Sequence, residues 1–414
     1  MTEHFTERFT GSFTQQEPIP EDGIAAAIAV LRHGRLHRYN TVPGEIAETA
    51  LLEQEFATLT GAAYCLAVAS GGYAMGCALR ALQVRAGEPV LTNAFTLAPV
   101  PGAIAGVGAN PVFVETTEAL VIDFADLAAK AAATGARLLM LSHMRGHMCD
   151  TSALMALCDR LGVQVIEDCA HTMGGAWGGV ASGRHGVVAC YSMQTYKHMN
   201  AGEGGFITSD DPQLMARAVL LSGSYMLYAK HLAAPPPEAF AEVRMTTPNV
   251  SGRMDNLRAA ILRPQVPMLA GRVARWEALY RQLEAGLQAT PGLTLVPRPA
   301  VETFVGSSFQ FRLAQWSPAR IAHFLTRTLA RGVELKWFGA PDPVAFTSRY
   351  DHWHYAAPQS LPQTDRILAG LIDLRLPLTF SPEDCDQIAR IIRAEVLVVG
   401  QGPEPEAVAA PVLQ

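Results

Sequence analysis

The sequence predicts an α/β fold, a mostly parallel sheet sandwiched by helices, followed by a smaller C-terminal α+β domain. Two patterns carry this expectation. From about residue 24 to 260, short β-branched runs alternate with Ala/Leu-rich helical stretches. After a Pro-rich loop, AAPPPEAF (233–240), apolar residues recur at three- and four-residue spacing over Asn256–Thr290, as in one long helix, and mixed elements continue to about residue 398. With 414 residues, 49% hydrophobic and 17% charged, the chain can bury a large core in two or three domains.

The expected strands are Cys65–Ala69, Pro89–Thr92, Pro111–Val114, Leu138–Ser142, Val163–Glu167, Val187–Ser192 and Gly205–Thr208. The expected helices are Gly23–His33, Ala47–Thr58, Gly72–Leu82, Phe124–Thr134, Ser152–Leu161 and Pro212–Leu221. The resulting division is an N-terminal tail (1–22), a large α/β domain (23–255), a linking helix with a small domain (256–398), and a Pro/Ala/Glu-rich tail (399–414) expected to be disordered.

A net charge of −6 without blocks of like charge gives no surface for nucleic acid or anionic lipid. The N-terminal MTEHFTERFTGSF lacks an apolar signal core, and no apolar run reaches the roughly 18 residues of a membrane span. Seven scattered cysteines (65, 77, 149, 158, 169, 190, 385) without a C-x-x-C pair read as reduced, core-filling thiols of a cytoplasmic protein.

The chemistry concentrates in 165–211, VIEDCAHTMGGAWGGVASGRHGVVACYSMQTYKHMNAGEGGFITSDD. Asp168 falls at the carboxyl end of one expected strand, Ser192 at the end of the next, and Lys197 in the loop beyond. Ligands of open α/β sheets bind at the carboxyl ends of strands, so the three can converge on one small molecule. They fit pyridoxal 5′-phosphate (PLP). Lys197 is the amine for a Schiff base with its aldehyde, and Asp168 the carboxylate that keeps the pyridine nitrogen protonated. Ser192, with Ser70, Gly71 and Gly72 ahead of a helix start, offers hydroxyls and N–H groups to the phosphate.

The run E-D-C-A-H, then S-M-Q-T-Y-K, then G-E-G-G resembles the DegT/DnrJ/EryC1/StrS family of fold-type-I aminotransferases, which aminate sugars and cyclitols. The likeness continues in VASGGYAMGCALRAL (68–82), PVFVETTEALVID (111–123), SHMRGHMCD (142–150), SGRMDNLRAAIL (251–262) and LRLPLTFSPEDCDQIARII (374–392). It implies a fold-type-I PLP-dependent transferase in which Lys197 is the Schiff-base lysine, Asp168 the pyridinium partner, His171 a neighbour of the ring, and Ser192, Gly71 and Gly72 holders of the phosphate. It also implies a homodimer with shared active sites. Arg253 matches the family's linking-segment arginine, while Ser251 takes the place of the Asn that reaches the neighbouring phosphate and Asn249 stands two residues earlier.

Two further departures concern the cofactor. S-G-T is S-G-G here, and the aromatic that follows a Thr to cover the ring is replaced by Leu97 after Thr96, leaving Phe95 as the candidate cover. The implied reaction takes an amino group from glutamate or glutamine to a keto sugar, keto cyclitol or related ketone by a ping-pong mechanism. The S-x-Q-x-x-K form of the lysine motif lies closer to the branch that aminates cyclitols. The alternatives are a PLP-dependent lyase or dehydratase of the same fold, against which Lys197 argues because the family's dehydratases carry His there, and a catalytically silent PLP-binding regulatory homologue.

Two other clusters have plainer readings. His143, His147 and Cys149 read as a strand-end turn rather than metal ligands, because Gly146 interrupts any shared helix face. Tyr350, Trp353, His354 and Tyr355 read as packing or a loop. Loops 223–250 and 336–356 are the expected readers of substrate.

Overall fold

The computed structural model describes residues 7–406. Helices α1 (Glu21–His33) and α2 (Glu48–Thr60) precede β1 (Tyr64–Val68). Strands and helices then alternate through α3 (Gly71–Ala81), β2 (Pro89–Asn93), α4 (Pro99–Gly106), β3 (Asn110–Val114), α5 (Phe124–Thr134), β4 (Leu138–Ser142), α6 (Thr151–Leu161) and β5 (Gln164–Asp168). A short hairpin of β6 (Ala176–Trp177) and β7 (Val180–Ala181) leads to β8 (Val188–Ser192), β9 (Gly205–Ser209) and α7 (Pro212–Ser222). The second half comprises α8 (Pro237–Ala241), α9 (Asn256–Leu262), α10 (Leu269–Leu287), β10 (Thr294–Leu295), β11 (Glu302–Thr303), β12 (Ser308–Arg312), α11 (Pro318–Ala330), β13 (Lys336–Trp337), α12 (Pro362–Ala369), β14 (Leu371–Arg375) and α13 (Pro382–Gln401).

The main sheet has the order β1-β9-β8-β5-β4-β2-β3. Every pairing is parallel except the two made by β9. Because β9 is antiparallel to both β1 and β8, those two run in the same direction, and the ends of β1, β4, β5 and β8 share one edge. Helices cover both faces, so β4 and β8 are buried along their whole length, and such strands read as unbroken apolar runs. Asp123, Asp150 and Asp211 cap α5, α6 and α7 by accepting from first-turn N–H groups, and Gly135, Gly162 and Gly223 end the same helices in the left-handed region.

The expected long helix over Asn256–Thr290 is two helices. A 3₁₀ turn at Arg263–Gln265 separates α9 from α10. Pro264 and Pro267 supply no N–H, and the proline ring clashes with the preceding turn, so the apolar spacing persists while the helix does not. Helices α10, α11 and α13 pack against an antiparallel sheet of order β10-β12-β14-β13, in one core cluster that includes Trp276, Phe309, Phe324 and Ile388.

Residues ahead of α1 join that cluster. Phe9 and Phe13 are buried edge-on against Phe380, with ring centroids 5.2 and 5.0 Å away, and Phe9 N donates to Arg331 O. At the other end α13 runs to Gln401, and of the tail expected to be disordered, residues 407–414 lie outside the described residues. Among the described residues no helix is long and apolar enough to cross a membrane.

Candidate active site

The strand ends build two halves of a site. At the end of β1, Ser70 caps α3, its Oγ accepting from Tyr73 N at 3.1 Å. The first N–H groups of a helix have no helical partner and carry its positive end, so Gly71 and Gly72 present a surface suited to an anion. Gly71 is required by contact: a Cβ there would lie 2.8 Å from Cβ of Ser192, which closes β8. At Gly72 the nearest atoms to such a Cβ are 3.9 Å away, so space remains where a phosphate would sit.

The other half is reactive. Asp168 ends β5 and is held on both oxygens, Oδ2 accepting from Ser142 Oγ at 2.9 Å and Oδ1 from Ala170 N at 3.1 Å. His171 follows, its Nδ1 accepting from Arg145 N at 3.4 Å, and its Nε2 lies 2.7 Å from Lys197 Nζ. Burial, then Lys197 and Arg145, push His171 well below its ordinary pKa, so the ring is neutral. With Nδ1 accepting, Nε2 carries the ring proton and can donate it to the lone pair of the Lys197 amine in its neutral form. Burial first, and then the Arg145 guanidinium, lower the Lys197 amine to about 7 against the opposing pull of Asp168.

A cavity of about 590 Å³ joins these halves. Ser70, Gly71, Gly72, His171, Ser192 and Lys197 all line it, and Asp168 is buried beside them at the end of β5. This set fits PLP: an anion cradle at a helix start, a carboxylate fixed by two hydrogen bonds, and a largely desolvated amine. Phe95 is not part of it. The strand ends at Asn93, and Phe95 turns into a separate cluster, edge-on to Phe338 at 5.0 Å, while Leu97 lines the cavity at the approach to α4. Asn249 and Ser251 also lie outside the lining. Both are exposed, with Asn249 Oδ1 accepting from Ser251 N at 3.0 Å and Ser251 at φ 54°.

The cavity contains basic residues that the sequence reading passed over, namely Arg145, Lys336 and Arg375. Their signal was a cation inside an otherwise apolar or buried run, H-M-R-G-H and L-R-L-P-L, where unpaired charge is rarely tolerated. Loop 336–356 contributes Lys336, Ala345, Phe346 and Ser348, and loop 223–250 contributes nothing to the lining. Tyr350 and Trp353 pack on Phe113 instead. His147 bonds Gln310 at 2.8 Å, and His143 lies with Glu167 and Cys169, where the Glu167 carboxylate already accepts from Gly183, His185 and Gly186 N–H groups.

Known proteins share this arrangement of sequence and fold. Residues 19–393 match the DegT/DnrJ/EryC1/StrS aminotransferase family. The "Putative L-glutamine:3-amino-2,3-dideoxy-scyllo-inosose aminotransferase" of Streptomyces kanamyceticus is 31% identical over 324 residues, 76% of this chain and 74% of its own. The UDP-N-acetyl-3-dehydro-α-D-glucosamine 3-aminotransferase of Acidithiobacillus ferrooxidans is 31% identical over 284 residues, 64% of this chain and 72% of its own. Among solved structures, DesV of S. venezuelae in complex with a ketimine intermediate superposes with a TM-score of 0.75 at 26% identity, covering 90% of this chain and 94% of that one. With a family match over nearly its whole length, the chain belongs to the DegT/DnrJ/EryC1/StrS aminotransferase family and is an aminotransferase.

Proposed function

We infer that the protein moves an amino group from glutamate or glutamine to a keto cyclitol, keto sugar or related ketone, with PLP held on Lys197, in two half-reactions. The observation that carries this reading is the Lys197 amine, 2.7 Å from His171 Nε2, lowered to about 7 against the pull of Asp168, and lining the same cavity as the phosphate cradle. PLP supplies an aldehyde that captures the amine and a pyridinium ring that accepts electrons from the substrate's Cα.

The chain's own residues do the rest. Ser70, Gly71, Gly72 and Ser192 hold the phosphate, and Asp168, fixed by Ser142 and Ala170, holds a proton at the pyridine nitrogen. His171 orients the Lys197 amine, which takes the proton from the donor's Cα and returns it on the far side of the transfer. The names of the two curated relatives, one a cyclitol aminotransferase and the other acting on a nucleotide sugar, support the acceptor class, and the first supports glutamine as donor.

The working form in this reading is a cytoplasmic homodimer. All seven cysteines are buried free thiols. Ile24, Ile28 and Leu31 form an exposed apolar stripe on α1, and Tyr225, Met226, Met245 and Val250 leave a second apolar area in the region of Asn249 and Ser251. Covering these with a second copy would let Asn249 or Ser251 serve the neighbour's phosphate. The reaction is tested by halves. Glutamate or glutamine alone should bleach the visible band of the holoenzyme by one equivalent, and a keto cyclitol or keto sugar should restore it. A holoenzyme unchanged by every common amino donor would contradict the reading.

A further inference from the structure

Three cations converge on one aromatic ring in the wall of the cavity. Arg145 Cζ, Lys336 Nζ and Arg375 Cζ lie 4.9, 4.7 and 5.6 Å from the centre of the Phe346 ring. They come from separate elements, the turn after β4, strand β13 and strand β14, all distinct from the α3 start and the β8 end that form the phosphate cradle. Asp373 is the carboxylate among them. It pairs with Arg145 at 2.8 Å, accepts from Gln310 Nε2 at 2.7 Å, and stands opposite Lys336 in the strand register.

Glu203 and Glu334 also line the cavity, yet among the described residues Asp373 alone lies within ion-pair distance of any of the three cations. Arg375 stacks on the Tyr196 ring at 3.8 Å, and neither it nor Lys336 has an ion-pair partner among the described residues. Glu334 acts on Lys336 more weakly than Asp373 does. The crowding is felt by the groups themselves. Burial and the neighbouring arginines lower Lys336 to about 8, and burial with Arg145 lowers Arg375. Charges of one sign held together in a partly dry pocket are stabilised by a counter-ion, and guanidinium groups favour planar carboxylates. Arg145 and Arg375 both act on the Lys197 amine, so an anion bound here lies near the reacting carbon.

We propose that Arg145, Lys336 and Arg375 form a carboxylate-binding subsite, so that one of the enzyme's two substrates carries a carboxylate into this wall of the cavity. The proposal rests on the aminotransferase reading for the identity of the substrates. The carboxylate belongs either to the amino donor or to an acidic ketone acceptor.

The test uses the holoenzyme, whose phosphate cradle is filled, with glutarate as a non-reacting dicarboxylate and glutaramide as its neutral counterpart. Calorimetry should find glutarate binding about tenfold or more tighter than glutaramide, the size of one charge-assisted hydrogen bond. Arg375→Gln should weaken glutarate about tenfold and leave glutaramide unchanged, and Arg375→Lys should restore part of the loss. Lys336→Met, on a different strand, repeats the test if Arg375→Gln does not fold. The half-reactions then separate the sources. A raised KM for glutamate at constant kcat in Arg375→Gln assigns the carboxylate to the donor, and a raised KM for a carboxylated ketone assigns it to the acceptor. Glutarate that fails to bind wild type, or binds wild type and variants equally, overturns the proposal. Because binding needs no turnover, glutarate affinity that depends on Arg375 in a protein that reacts with no amino donor would keep the subsite and remove the transfer reaction.

Discussion

Replacing Arg145 with glutamine tests the electrostatics that keep Lys197 reactive. The amine is lowered from 10.5 to about 7, with burial the largest cause and Arg145 the next. At pH 7 about half of it is then neutral, against roughly three parts in ten thousand for an ordinary lysine, a gain of somewhat over a thousandfold in nucleophile, or about 4 kcal/mol. The sign for stability follows. Between about 7 and 10.5 the unfolded chain binds this proton and the folded one does not, so the apoprotein gains stability as pH rises through that window and lacks this contribution below it. Removing the Arg145 charge leaves Asp168 and burial in place, so the Lys197 midpoint moves up and the neutral fraction at pH 7 falls. The assay is the rate of PLP capture by apoprotein across pH, with thermal melting to check that Asp373, which keeps its bond from Gln310, is tolerated without its ion pair. Wild type should capture half-maximally near pH 7 and about tenfold more slowly for each pH unit below, with the variant's curve displaced to higher pH. A wild-type midpoint near 10.5, or a variant curve that is unmoved or displaced downward, would refute the reasoning.

Three other outcomes follow from the same geometry. Asp168→Asn can still accept from Ala170 N through its one oxygen, with its amide NH2 now donating to a turned Ser142 Oγ, but it cannot hold the pyridine nitrogen protonated, so kcat/KM should fall by roughly 3 kcal/mol, about a hundredfold, with the melting temperature little changed. Activity within about tenfold of wild type would assign Asp168 another role. Gly71→Ala pushes a methyl to 2.8 Å from Ser192 Cβ and should lower stability by ~1–3 kcal/mol and weaken PLP binding, whereas Gly72→Ala meets nothing closer than 3.9 Å and should change stability by less than about 0.5 kcal/mol. Equal behaviour of the two in denaturant melts would mean that the close approach of the α3 start to the end of β8 is not as described. Ile28→Glu, in the exposed stripe of α1, should shift light scattering from dimer toward monomer, and a wild-type protein that is monomeric and fully active would contradict the shared-site reading.

Most of the site's framework could be read from residue order because strands buried on both faces write themselves as apolar runs closed by a polar residue. Ser142, Asp168 and Ser192 each end such a run, and the fold brings the three strand ends to one edge. All seven expected strands of the main sheet and all six early helices lie within two residues of the expected bounds. What was not legible depends on contacts between distant segments or on short elements. Helix α4 opens with Pro99 and carries Pro101 and two glycines, so its helical propensity is hidden, and the small sheet contains strands of only two residues. Phe95 lies two residues past the end of its strand, where period-two alternation no longer governs which way a side chain points. Arg145 and Arg375 were visible as charges, but only the turn at the end of β4, with Arg145 at φ 54°, and the approach of β14 make them neighbours.

Borohydride reduction of the PLP-loaded protein, followed by proteolysis and mass spectrometry, tests the assignment of Lys197 most directly. Reduction fixes the cofactor as a secondary amine on the lysine that holds it. The label should fall on the peptide containing Tyr196, Lys197 and His198, at Lys197, and Lys197→Ala should bind PLP without fixing it. Label on any other lysine, or none on a protein that binds PLP and transfers amino groups, would contradict the account.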